Sequence, residues 1–236
     1  MSRIRFAAVV LALVALTATP SFSSTIAYTQ SEQIFGNQEW FGSLGMDFQV
    51  LSPIVVTEIG VFSNNAFGQV SVASPGTDLN AAIFALPSGY SDTSGTIISA
   101  TEVSFETGTN YAVFENWLFQ NIAPVVLLPG YYTIVAQGYG LADPNGNNGN
   151  PPYPTLSSEN TGGGLIAFGG SARYEIANLT SLPNPVDFPS TLDTGPSNRY
   201  YAGDLQYEGV PEPVSLALLG SGLVLIGVLG RKRFAR

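Results

Sequence analysis

Short runs of β-branched and aromatic residues, punctuated by turn formers, set what most of this 236-residue chain can become. Met46–Val50 alternates apolar and polar residues. Ile54–Phe62 sets Val55, Thr57, Ile59 and Val61 on one face against Val56, Glu58, Gly60 and Phe62 on the other. Further runs fall at Ala81–Leu86, Ile97–Ser104, Tyr111–Phe119, Ala123–Leu128 and Tyr131–Gln137, with turn residues at 63–65, 87–89, 107–110 and 129–130 between them. Leu165–Phe168 and Arg199–Tyr207 return to the same pattern, while Asp187–Ser197 reads as a connection rich in Pro, Asp and Thr. Away from the termini no window sustains apolar residues at helical spacing. Short strands at this spacing predict an all-β sandwich or barrel. There is no internal repeat, so residues 24–209 are expected to form a single domain. Between Leu141 and Gly170 the pattern breaks into a Pro-, Gly- and Asn-rich stretch; a loop that long is either functional or mobile.

The two ends follow different rules. Arg3 and Arg5 precede an apolar stretch, Phe6–Leu16, too short to span a bilayer, and Pro20, Ser21 and Ser23 follow. That is the layout of a signal peptide over residues 1–23, cut by signal peptidase after Ser23, with Ser24 the alternative. At the other end Val210, Pro211, Glu212 and Pro213 lead into an uncharged apolar run, Val214–Gly230, and then into a basic tail, 231–236, holding Arg231, Lys232, Arg233 and Arg236. Those 17 apolar positions make a helix of about 25 Å, at the short end of what crosses a bilayer. Gly220, Gly222, Gly227 and Gly230 allow close packing on a partner helix. The basic residues favour the cytoplasmic side, so the precursor is expected in the inner membrane with its body outside and its C-terminus inside. Pro211 and Pro213 keep the intervening motif extended, as a protease needs.

Without its ends the chain is strongly acidic. Residues 24–213 keep two arginines, Arg173 and Arg199, against all 17 carboxylates, a net charge of −15. Such a surface repels phosphate backbones and anionic lipid headgroups, which argues against nucleic acid or peripheral membrane partners. Cysteine and histidine are both absent. Thiol chemistry, Ser-His-Asp and Cys-His catalysis and the common zinc sites are therefore ruled out. No cofactor is implied, and a domain of this length can bury enough apolar surface to do without disulfides.

Val210–Pro213, the apolar run and the basic tail, three parts in order, resemble the PEP-CTERM sorting signal. That resemblance implies an exported bacterial protein recognised by the membrane transpeptidase exosortase. It also implies cleavage near the motif and delivery to the cell surface or extracellular matrix, often in an exopolysaccharide or biofilm setting. A second likeness covers the body. Ser43–Val50, Val55–Phe62, the strand at Ala82–Ala85 and the strand-turn-strand at Pro124–Tyr131 are similar to jelly-roll-like domains of unknown function in secreted bacterial proteins. It implies a single jelly-roll-like β-sandwich with an accessory role, and brings no catalytic residues.

Three constellations carry possible chemistry. Asp143, Asn145 and Asn147 alternate as calcium-loop ligands do, although Pro154 stands where the closing carboxylate belongs and Gly149 falls one place late; a plain polar loop is the other reading. Trp40, Phe41, Trp117, Tyr139, Tyr153, Tyr200 and Tyr201 could stack on sugar rings or fill an ordinary core. Tyr139 and Tyr153, flanking the long loop, are the expected exposed rings. Glu102, Glu106 and Glu115 could supply the two carboxylates of a glycoside hydrolase, but no motif isolates a pair. The leading expectation is a non-enzymatic exported sandwich processed by exosortase. A carbohydrate-binding module acting on exopolysaccharide is the alternative, and a glycoside hydrolase the third reading.

Overall fold

A computed structural model describes residues 23–30, 32–68, 75–148, 157–175 and 186–210. The signal-peptide stretch, the apolar run, the basic tail, Pro211–Pro213 and Tyr153 lie outside these. Ser24–Gly209 forms one compact unit. In chain order the strands are β1 (Thr25–Ile26), β2 (Tyr28–Gln30), β3 (Leu44–Val50), β4 (Ile54–Phe62), β5 (Leu79–Leu86), β6 (Thr96–Ile97), β7 (Val103–Phe105) and β8 (Ala112–Phe114). They continue with β9 (Trp117–Leu127), β10 (Gly130–Gln137), β11 (Gly146–Asn147), β12 (Ser157–Glu159), β13 (Ile166–Tyr174), β14 (Thr191–Asp193), β15 (Tyr200–Tyr201) and β16 (Gly203–Gly209). Among the described residues the sole helix is one 3₁₀ turn, Ser99–Thr101, and no helix is long and apolar enough to cross a membrane.

The chain is all-β. One antiparallel sheet runs β1-β16-β4-β9-β8; the other runs β14-β13-β3-β10-β5-β6, with β7 also paired to β5. Successive long strands alternate between them: β3 lies in the second sheet, β4 in the first, β5 in the second, β9 in the first and β10 in the second. Phe48, Met46 and Ile134 from one sheet and Ile59, Val61, Trp117 and Leu205 from the other join a single buried cluster, the core of a β-sandwich. Burying aliphatic and aromatic side chains between the sheets stabilises the fold by about 1.5–3 kcal/mol each.

The expected faces of β4 are corrected by a bulge. Val56 is buried beside half-buried Val55, yet further along Ile59 and Val61 are buried too. Thr57 has no partner in the register with β16, so the inward parity switches from even to odd positions there. The same shift affects β9, where Ile122, Ala123 and Pro124 are skipped between Asn121 and Val125. Pro124, with no amide to donate, falls where the ladder is already interrupted. Two other runs divide. Ile97–Ser104 breaks at the 3₁₀ turn, and Tyr111–Phe119 folds back at Glu115–Asn116 as the tight β8–β9 hairpin. Glu115 sits there at φ 54°, a left-handed conformation that costs a non-glycine residue about 1 kcal/mol or more.

A buried ion pair ties the second sheet to its loops. Arg173 Nε lies 2.6 Å from Asp47 Oδ1, with both side chains fully buried. The same guanidinium donates to the carbonyls of Tyr90 and Asp92 and lies 5.5 Å from the centre of the Phe188 ring. Burial pushes the Asp47 carboxyl up, against the pull of Arg173. Arg199 is also paired, its Nη1 2.7 Å from Asp193 Oδ2 and its Nε 2.8 Å from Asn147 Oδ1. Both cations of the domain are thus used internally.

Candidate functional site

The calcium-like loop is folded inward. Asp143, Asn145 and Asn147 are all buried. Asp143 Oδ1 accepts from the Asn64 amide at 2.8 Å, and Oδ2 accepts from the Gly76 amide and the Ser63 hydroxyl, each at 3.2 Å. Asn145 donates to Gln38 Oε1 at 3.1 Å, and its backbone bridges to Gln38. The Asn147 amide donates to Asn37 Oδ1 at 2.7 Å, within the short β11–β15 pair. The side-chain oxygens of Asp143 and Asn147 that would face calcium instead receive protein donors, Asn145 Oδ1 is buried without one, and Gly36 packs so closely on Pro144 that a side chain there would strike its carbonyl. The alternation of Asp143, Asn145 and Asn147 therefore serves to latch residues 36–38 and 63–64 onto the loop. Among the described residues no group of three or more acidic side chains could hold a metal ion. Burial pushes the Asp143 carboxyl up, opposed by its three donors.

The expected exposure of Tyr139 is also overturned. Its ring is 0% exposed and its hydroxyl donates to the Ala202 carbonyl at 2.5 Å, because the chain turns inward at Gly138, just past the end of β10. Trp117, Tyr200 and Tyr201 are buried as well, and Phe62 packs against both Trp117 and Tyr201, at 5.9 and 6.2 Å between ring centres. Trp40 is half-buried, edge-on to Tyr174 at 5.8 Å. These rings are core and cross-strand packing.

The carboxylates named for hydrolysis are placed separately. Glu102 Oε1 accepts from the Val186 amide at 2.9 Å, Glu106 is exposed, and Glu115 accepts from the Gln30 amide. Burial pushes Glu115 up, with that amide pulling it back. A feature that sequence reasoning missed is Asp204, sealed in the core of β16. Its Oδ1 accepts from the amides of Leu205 at 2.7 Å and Tyr28 at 3.1 Å. Burial raises its carboxyl well above the usual range.

What stands out on the surface is one end of the sandwich. Thr25 pairs with Tyr207 and Ile26 with Gln206, so the chain enters and leaves the domain on adjacent antiparallel strands. Gly209 pairs with Ile54 and Ile54 with Leu127, which sets the exit two strands from the tip of β9. At the same end lie the turns 51–53 and 128–129 and the loop 160–165; none contains a charged residue. The loop is held by three successive left-handed glycines, Gly162, Gly163 and Gly164, and its Leu165 carbonyl accepts from the amides of Leu51 and Ser52. Leu51, Val126 and Leu128 are exposed here. The signal was present in the sequence as aliphatic residues at turn positions, Leu51 before Ser52-Pro53 and Leu128 before Pro129-Gly130.

No family model matches the chain, and no characterised protein matches it. Among solved structures, it is similar to a chain described as "Crystal structure of infectious bursal disease virus VP2 subviral particle", at 12% identity and a TM-score of 0.25, covering 83% of this chain and 43% of that one. It is also similar to one described as "Structure of infectious bursal disease virus Gx strain", at 13% identity and a TM-score of 0.19, covering 93% and 52%. The chain therefore spans about half the length of either. At these scores the likenesses bear neither on its topology nor on its activity.

Proposed function

We propose that this chain is an exported, exosortase-processed surface or extracellular-matrix protein whose jelly-roll-like sandwich has a non-enzymatic role. The alternation of β3, β4, β5, β9 and β10 between the two sheets supports the jelly-roll-like winding. One observation carries the sorting reading. The last strand, β16, is an interior strand between β1 and β4, and it ends at Gly209, one residue before Val210. A cut near Pro213 removes none of the described strands. A cut after Ser23 likewise spares β1, which starts at Thr25. All the described strands fall between the two expected processing points. Intact-mass analysis of the native protein tests this reading. The expected mass lacks residues 1–23 and those after about Pro213, and the second loss disappears in cells without exosortase. Retention of Val214–Arg236 in normal cells would overturn it.

A further inference from the structure

We propose that the end of the sandwich carrying Leu51, Val126 and Leu128 rests on the membrane, at the boundary between headgroups and acyl chains, while the precursor is tethered. The inference depends on the reading of Val214–Gly230 as the spanning segment, and adds to it an orientation and a contact for the folded domain.

Two independent features of this end point to a bilayer. The first is reach. Val214 follows Gly209 by five residues, at most about 18 Å of extended chain. Adjacent strands are about 4.8 Å apart, so the tip of β9 lies only about 10 Å from the exit. An inserted segment therefore brings this end, and no other, within a short distance of the lipid. The entering strand β1 is beside the leaving strand β16, so the signal-peptide side of the precursor imposes the same approach. The second is surface chemistry. Leu128 is 62% exposed, Val126 55% and Leu51 47%, a cluster of aliphatic side chains on turns and a strand end without charge. The segment as a whole carries −15, which anionic lipid would repel elsewhere. The acids beside this end are Glu208, in the row Glu208–Val55–Val126 and two strands away from Val126, and the exposed Glu159, immediately before the loop 160–165. Both flank the aliphatic cluster, where their carboxylates can stay in water at headgroup level. Three partly exposed aliphatic side chains make a weak contact, so the domain holds this surface only while the tail tethers it and lets go once the tail is cut.

The chain has no cysteine, which makes single labels unambiguous. Full-length protein carrying Leu51→Cys, Leu128→Cys, Leu141→Cys or Leu223→Cys is labelled with an environment-sensitive fluorophore. Each is then reconstituted into phosphatidylcholine vesicles containing lipid with a nitroxide high on the acyl chain. Leu141, 81% exposed, follows the far end of β10 and serves as the distal reference. The expected result is quenching at positions 51, 128 and 223 at least twice that at 141. Quenching at 223 alone overturns the docking and leaves the spanning segment standing. No quenching at 223 overturns both. Labels at 51 and 128 that are shielded from iodide in water but untouched by the lipid nitroxide mean that protein, such as a second copy, covers this end, and this also overturns the proposal.

Discussion

Tyr28 and Asp204 are joined across the fold: the amide of the one, on the second strand, donates to the buried carboxyl of the other, on the last. Asp204 binds its proton more tightly folded than unfolded, because burial penalises its charge and Glu115 adds repulsion. The stabilisation is fully present below the ordinary carboxylate pKa of about 3.9 and is lost as pH rises towards the folded value. Asp143 and Glu115 shift the same way. Asp78, Asp92 and Asp193 shift down, so their contribution is lost only as pH falls below the ordinary value. The domain is therefore expected to melt higher at pH 5 than at pH 8. Asp204→Asn should raise the pH 8 melting temperature by about 2 °C or more and narrow the difference between the two. An equal pH difference in the variant would show that Asp204 is not its source.

The Asp47–Arg173 pair predicts an asymmetry. Arg173→Ala leaves a fully buried carboxylate without its cation and frees the carbonyls of Tyr90 and Asp92. The expected loss is about 3–5 kcal/mol in urea denaturation. Replacing both partners together, Asp47→Leu with Arg173→Met, should cost markedly less than the single change, because no uncompensated charge is left.

Calcium is expected to act on this protein only as a generic cation. Asp143 already satisfies three donors, so millimolar calcium should raise the melting temperature no more than magnesium does. Asp143→Asn, which replaces one acceptor oxygen with a donor, should lower stability by about 1–3 kcal/mol with or without calcium.

Truncation separates the last described strand from the proposed signal that follows it. Residues 24–213 should fold with the melting temperature of the untruncated domain. Residues 24–202, lacking β16, should show no cooperative thermal transition by circular dichroism, since β1 loses its partner and β4 one of its two.

Strand positions were legible where alternation and turn residues agreed: β4 begins and ends at Ile54 and Phe62 as the pattern indicates, and β10 departs from it by one residue. Thr57 shows what was not. A single unpaired residue exchanges the two faces of β4, and nothing in its own chemistry marks it, because a bulge is a property of three strands in register. Asp143, Asn145 and Asn147 left two readings open for a related reason. Spacing reveals that three polar side chains act together, but not whether their partners are an ion or the amides of residues 64 and 76. The burial of Tyr139 depends on the turn at Gly138 beyond β10, and Asp204 gave no local sign of being sealed between sheets. The aliphatic turns at Leu51 and Leu128 were in plain view, and only the placement of the exit beside them gives them a meaning.

The position of β16 also fixes a schedule. It is made last of the described strands, yet it belongs in the interior of its sheet, paired with a first strand about 180 residues earlier. Such distant pairing is slow to form. Until Gly209 has been made, the first sheet lacks its middle and the chain stays open. On the proposed export route this leaves it fit to be threaded through a channel, and an enzyme that processes the proposed motif would meet it only on a chain that already has every described strand.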